Sequence, residues 1–568
     1  MTNEEHILPA EKPERFFFRA SAADFKKIPG SPIAYWVSLV QISLLKQQTL
    51  QEFAEFKEGL TTANNDLFLR LWSEVAFSKI TIGASASNEL LIWVPYNKGG
   101  SFRRWYGNHY FVVDWRVNGS RIKNYQGSSF RNSSFHFRRG GTFSALSSGL
   151  FSVRYSGSGF AFDSKGTMFF SEKLAALIIF LNSKICSRLL MLVAPTLDFR
   201  FGTIQKMPYL SSDGKNFNQL VSISKSDWDS YETSWDFTSL PLLNPDYRQS
   251  TLKSTYNNLR AYWQERTQEM QRLEEENNLI FIDAYGLQEE LTPEVPLNEI
   301  TLTCNPHYRY SNNKNTEELD ALLLADTMKE YISYAVGCMF GRYALDKPGL
   351  ILANQGDTIE EYLRQIPELI FPADHDNVLP ILDGDWFTDD ITERFRKFLR
   401  ITFGEEHYEE NLKFIEVALG KDIRKYFLKD FYNDHLRRYK KRPIYWLFSS
   451  PKGSFNALIY MHRYRPDTVS VVLNGYLREF RIKLLARKTH LEALSISGSA
   501  SIGEKTKALK EIESLRKMIE ELERYERDVL YPLATEQIAI DLDDGVKVNY
   551  QKFGPALKKI VGLDIKEE

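Results

Sequence analysis

The chain has 568 residues, 72 Lys and Arg against 74 Asp and Glu, 43% hydrophobic residues, and three cysteines (Cys186, Cys304, Cys338) with no CxxC spacing. That length exceeds one compact domain, the apolar share suffices for buried cores, and the cysteines exclude a disulfide scaffold or a cysteine-zinc module. The longest purely apolar run, Leu174–Leu181, is far short of a ~20-residue membrane span, and the N-terminus lacks a signal-peptide architecture, so a cytoplasmic protein with no membrane partner is expected.

In chain order, residues 1–60 read as a lead-in, with an aromatic run (Phe16, Phe17, Phe18) and a KIPGSP turn. Residues 61–212 alternate short strands (LLIWVPY, YFVVDW, FHFRR, FSVRY, FAFD) with Gly/Asn/Ser turns, and close on an apolar helix over Glu172–Val193 and a GTIQKMPYL strand-turn. Residues 213–346 form a helical spacer, with one long helix over Tyr247–Tyr285 ended by Gly286 and another over 318–341. Residues 347–477 are mixed α+β, with a strand pair around RRYKKRPIYWLFSSPKGSF. Residues 478–534 form a helical hairpin or coiled coil broken at SISGSASIGE, with apolar Ile512, Leu515, Ile519, Leu522, Tyr525 and Val529 at helical spacing. The 535–568 tail carries a strand-turn-strand and a short helix. The fold class is multidomain α+β: a mixed α/β domain, a helical spacer, and an α+β C-terminal domain with the hairpin.

The near-zero net charge conceals opposed blocks. From Pro95 to Tyr155 ten Lys and Arg face a single acid, Asp114, whereas Tyr262–Ile300 carries ten acids against two arginines. The basic block interleaves Lys98, Arg103, Arg104, Arg116, Arg121, Lys123, Arg131, Arg138 and Arg139 with aromatics and with amides such as Asn97, Asn108 and Asn124. Arg and Lys neutralise phosphates, Arg forks onto guanine, and Asn pairs with adenine, so these residues are the candidate contacts to double-stranded DNA, with the three asparagines as base readers. The aromatics read as core, but so one-sided a charge does not read as simple solvation, which mixes signs. A second cluster, Arg437, Arg438, Lys440 and Lys441, is a weaker candidate for backbone phosphate.

Catalytic signatures are missing. There is no GxGxxG after a strand, no P-loop, and no GxSxG, HExxH or kinase motif. An adenine methyltransferase uses an [NDS]PP[YFW] tetrapeptide; Asn244-Pro245-Asp246-Tyr247 and Asn305-Pro306-His307-Tyr308 each lack its second proline and read as turns. The acids Asp374, Asp376, Asp383 and Asp385, with His375, read as a turn and a helix cap rather than a metal site.

Long segments nevertheless carry a resemblance. FRASAADFKKIPGSPIAYWVS, PYNKGGSFRRWYGNHYFVVDW, SSGLFSVRYSGSGFAFDSKG, AYGLQEELTPEVPLNEITLTCNPHYRY, YAVGCMFGRYALDKPG and AIDLDDGVKVNYQKFG, in this order, resemble the C-terminal half of the PglX family. Those are adenine-specific DNA methyltransferases of BREX phage-defence systems, related to type IIG restriction-modification enzymes. The resemblance implies that 61–212 is a target-recognition domain lying against the DNA major groove, and that Leu181-Asn182-Ser183 with Gly202-Thr203-Ile204 closes it. The family's methyltransferase lobe has no counterpart in these residues. The resemblance therefore implies no catalytic residue and no cofactor bound by this chain, S-adenosylmethionine belonging to a separate methyltransferase lobe, and other BREX proteins as partners. Two other readings are a protein-interaction scaffold of a defence complex, built on 478–534 and the acidic spacer, and a non-functional remnant of a split gene.

Overall fold

The computed structural model describes residues 38–44, 46–85, 90–145, 149–193, 199–211, 214–310, 313–366 and 368–563; the aromatic run at 16–18 and the KIPGSP turn lie outside them. The protein is a multidomain α+β chain of long helices and small sheets.

Eight strands form its N-terminal region: β1 (Glu55–Lys57), β2 (Leu69–Leu71), β3 (Trp93–Asn97), β4 (Phe111–Asp114), β5 (Gly140–Phe143), β6 (Val153–Ser156), β7 (Ala161–Phe162) and β8 (Met168–Phe170). They sort into two four-stranded sheets, β1-β8-β5-β6 and β2-β4-β3-β7, antiparallel except for β3–β7. In the second sheet Trp93 pairs with Asp114 and Val94 with Val113, all four buried, so both faces of this sheet are covered. The FHFRR segment is not the expected strand. A 3₁₀ turn over Ser133–Phe135 and a left-handed Phe137 (φ 69°) carry the chain round, and the strand begins only at Gly140.

The helix expected over Glu172–Val193 is two, α1 (Leu174–Leu181) and α2 (Lys184–Val193), bent by 62°. Asn182 at the bend makes a two-way bond with strand β6, its Oδ1 accepting from Val153 N at 2.8 Å and its Nδ2 donating to Val153 O at 3.0 Å. No single helix among the described residues is long and apolar enough to cross a membrane, although the bent α1–α2 pair together has that length and composition. After α3 (Phe217–Asp229), the long spacer helix α4 (Leu252–Tyr285) starts at an N-cap, Thr251, and stops at left-handed Gly286. Helix α5 (Thr316–Met339) opens with a capping box between Asn315 and Glu318.

The C-terminal region holds a third sheet of β9 (Val378–Pro380), β10 (Tyr445–Ser449) and β11 (Asn456–Tyr460), in the order β10-β11-β9, antiparallel. Helices α6 (Ile391–Phe403) and α7 (Tyr432–Arg438) pack near it, and α8 (Glu479–Ile496) with α9 (Ile502–Tyr525) forms the hairpin. Leu515, Ile519, Leu522 and Tyr525 are buried on one face of α9, as their spacing requires. The tail is helical where strands were expected: VKVNY lies in α10 (Gly545–Gln551), with its Val546 and Tyr550 buried one turn apart. One apolar cluster runs from Leu44 to Leu563, so a continuous core joins all three regions.

Candidate nucleic-acid interface

The basic block splits by direction. Arg103 and Arg104 point inward, against the expectation that both meet phosphate. Arg103 forms a 2.7 Å ion pair with Asp227, donates to Thr303 Oγ1 and Tyr106 O, and stacks 5.0 Å from the Trp228 ring. Arg104 pairs with Glu274 at 2.6 Å and Glu299 at 2.8 Å, and Trp105 Nε1 donates to the same Glu274. Burial disfavours the Arg103 charge, but Asp227, with the Tyr308 and Tyr110 hydroxyls, outweighs it and holds the guanidinium above its ordinary range. The two arginines therefore tie the N-terminal sheet region to α3 and α4, and the acidic segment that balances their charge in the sequence meets them in space. Arg154 is also fully buried, with its pKa brought down to about 10 by burial.

The same holds for two of the three amides expected to read bases. Asn97 is buried and donates to Ser156 Oγ at 2.8 Å. Asn108, buried with φ 63°, donates to Ser101 O and braces the Gly99-Gly100 turn. Both hold loops together, a role that the residue type alone does not distinguish from base reading. Lys98 is partly covered, 2.9 Å from Asn65 Oδ1 and 3.7 Å from Asp163.

The outward set is Arg121, Lys123, Asn124, Arg131, Arg138 and Arg139, all exposed. No acid occurs between Arg116 and Phe162, so this surface segment is of one sign along the chain. Its cations stand on the rings beneath them. Lys123 lies 4.5 Å over Phe130, and Arg138 lies 4.9 Å over Phe135 and 5.2 Å over Phe170. Phe130 in turn packs on Trp115 and His136. Ring faces attract cations but leave them free to contact phosphate. Two members have carboxylate partners: Asp114 takes Arg121 at 2.6 Å and Arg116 at 3.0 Å, and Glu58 takes Arg131 at 3.3 Å.

The backbone under this surface is unusual. Val117 (φ 50°), Asn118 (φ 53°) and Gly119 (φ 70°) make a single left-handed turn before the chain returns to a right-handed one at Ser120–Lys123. A β-branched residue in that region is strained, and a Cβ at Gly119 would meet the Phe130 ring at 2.8 Å. The Asn-Gly dipeptide at 118–119 was the available signal for this turn. Lys57, 4.7 Å over the Phe135 ring, extends the basic surface from β1, and no linear pattern pointed to it.

The second cluster is mostly a strut. Arg438 pairs with Glu232 at 2.7 Å, and the neighbouring Arg442 pairs with Glu74 at 2.8 Å. Arg437 is exposed beside Asp434, while Lys440 and Lys441 are exposed in a left-handed pair (φ 51° and 62°). The two tetrapeptides that approach a methyltransferase motif are caps. Asn244 accepts from Asp246 N, and Asn305 accepts from His307 N while donating to Leu297 O and Ile300 O. No sheet among the described residues has the parallel strand–turn–helix order that an S-adenosylmethionine loop requires. Nor is there a metal-ligating group of His, Cys, Asp or Glu among them. Asp385 and Asp390 bind Arg424, and Asp376 accepts from Tyr476 Oη.

No family model matches the chain. It is 38% identical, over 569 aligned residues, to the adenine-specific methyltransferase PglX of Lacticaseibacillus casei (strain Zhang), an alignment covering 94% of this chain and 45% of that protein. It is 37% identical, over 566, to the adenine-specific methyltransferase BrxX of Escherichia coli O9:H4 (strain HS), covering 95% and 46%. The chain is thus a homologue of adenine-specific methyltransferases and spans just under half the length of these relatives.

Proposed function

We propose that these residues correspond to the C-terminal half of the longer relatives and supply the DNA target-recognition part of an N6-adenine DNA methyltransferase of the BREX phage-defence type. The chain acts with a methyltransferase lobe that holds S-adenosylmethionine and carries out the chemistry, in the cytoplasm and alongside other proteins of the defence system. The observation that carries this reading is the exposed one-sign segment from Arg121 to Arg139. Lys123, Arg138 and Arg139 neutralise backbone phosphates, Arg121 and Arg131 exchange a carboxylate for a phosphate, and Asn124 sits among them as the base-reading amide. Phosphate contacts fix position, and the strained turn at Val117–Gly119 presents the readers to the groove.

Selection from a randomised duplex library with the purified chain tests the recognition role. Enrichment of a defined sequence is expected, and retention of all sequences alike would contradict it. A scaffold role is the second reading, favoured by Ile496 and Ile502, which lie 84% and 86% exposed beside the hairpin tip. Replacing 486–516 by a short turn separates the two, because a scaffold loses complex assembly while DNA affinity is retained.

A further inference from the structure

A cavity of about 760 Å³ opens where the recognition region, the spacer and the C-terminal region meet. That size is typical of small-molecule sites, which favour junctions of this kind. One wall is aromatic: Tyr110, Trp228, Tyr231 and Tyr308 all line it, with Tyr110 and Trp228 in a 5.0 Å edge-to-face contact. The cations on the wall are matched with carboxylates, Arg309 with Glu330 and Arg438 with Glu232 among them, except one. Lys440 forms no ion pair among the described residues; its ammonium stands 3.3 Å from the centroid of the Tyr110 ring, at a left-handed turn that brings it to the cavity.

We propose that this cavity is a nucleotide site, in which a base takes the Tyr110 ring face that the Lys440 ammonium now covers, and its phosphate takes the displaced, unmatched ammonium. Rings alone would admit any planar apolar molecule, and a lone ammonium would admit any anion. Only a ligand combining a planar heteroaromatic ring with an anionic group uses both at once, and stacked bases are accepted with little regard to their identity. The nucleotide comes from solution or from a DNA strand that swings one residue out of its stack. The site is separate from the Arg121–Arg139 surface, so it stands whether or not that surface binds DNA. Desolvation supports the assignment, since it brings Lys440 down to about 8, and an incoming phosphate raises it again.

Calorimetry on the full chain tests the site with ATP, GTP and inorganic triphosphate, and with a short duplex that is fully paired or carries a one-nucleotide bulge. ATP or GTP should bind, with triphosphate at least roughly tenfold weaker and with both Lys440→Ala and Tyr110→Leu weakening the nucleotide at least roughly tenfold. Near pH 8 the heat should vary with buffer ionisation, because binding takes up a proton at Lys440. Arg138→Glu/Arg139→Glu should leave nucleotide affinity unchanged. If free nucleotides do not bind but the bulged duplex is preferred and Lys440→Ala abolishes the preference, the nucleotide comes from the strand. Absence of both bindings overturns the site, as does nucleotide binding that neither cavity variant changes. The Lys440 side chain makes no hydrogen bond or ion pair among the described residues, so its replacement should spare the fold, and the reading does not depend on Tyr110→Leu alone.

Discussion

Arg103 and Arg138 are the same residue type 35 positions apart in one basic stretch, yet they do opposite work. Arg103 is 3% exposed and bound to Asp227 on the spacer; Arg138 is exposed on two phenyl rings. Removing one partner of a buried pair leaves the other charge stranded, so Arg103→Ala should lower unfolding free energy by about 3–5 kcal/mol in a denaturant titration. Arg138→Ala should change it by less than about 0.5 kcal/mol. His109 makes a second prediction. It stacks on Trp235 with both ring nitrogens unpartnered, and burial, aided by Arg154, brings its pKa down to about 3. The folded ring stays neutral while the unfolded ring protonates near its ordinary value. Its share of stability is therefore complete above about pH 6.5 and is lost as pH falls toward 3. Replacement of His109 by Phe should flatten that acid limb of a stability–pH curve, and a limb of unchanged slope would refute the assignment.

At the scale of elements, the left-handed turn at Val117–Gly119 is the feature on which the basic surface depends. Gly119→Ala places a Cβ 2.8 Å from Phe130 at φ 70°, and should cost about 1–3 kcal/mol and weaken duplex binding, whereas Ser120→Ala beside it should do neither. The long helices were legible from sequence because each carries its own signals. Helix α4 has Thr251 and Gly286 at its ends, and α9 repeats buried residues on one face. The tail was misjudged because VKVNY alternates like a strand, and only its packing around buried Val546 and Tyr550 makes it helical. In the basic block the sign of the charge was legible and its direction was not. The partners of Arg103 and Arg104 lie more than a hundred residues further along, on elements whose approach no local pattern records. The cavity was hidden for the same reason, its aromatic wall being assembled from three distant stretches.

Across the whole molecule, opposed charge blocks serve as fasteners. Arg103–Asp227 and Arg104–Glu274 join the N-terminal sheet region to the helices α3 and α4, while Arg438–Glu232 and Arg442–Glu74 join the C-terminal region to both. A continuous core runs under these ties, while Trp115, Phe130 and Phe137 beneath the Arg121–Arg139 segment belong to a separate apolar cluster of the N-terminal sheets. Within the Arg121–Arg139 segment, Lys123, Arg138 and Arg139 have no carboxylate partner among the described residues, and the proposed DNA contact rests on these three. The most direct measurement is the salt dependence of affinity for a fixed duplex, by fluorescence anisotropy, in the wild type and in Lys123→Ala/Arg138→Ala/Arg139→Ala. Three lost phosphate contacts should reduce the slope of log K against log salt by roughly 3, with folding stability unchanged. A triple variant that binds with the wild-type slope would show that the DNA lies elsewhere on the molecule.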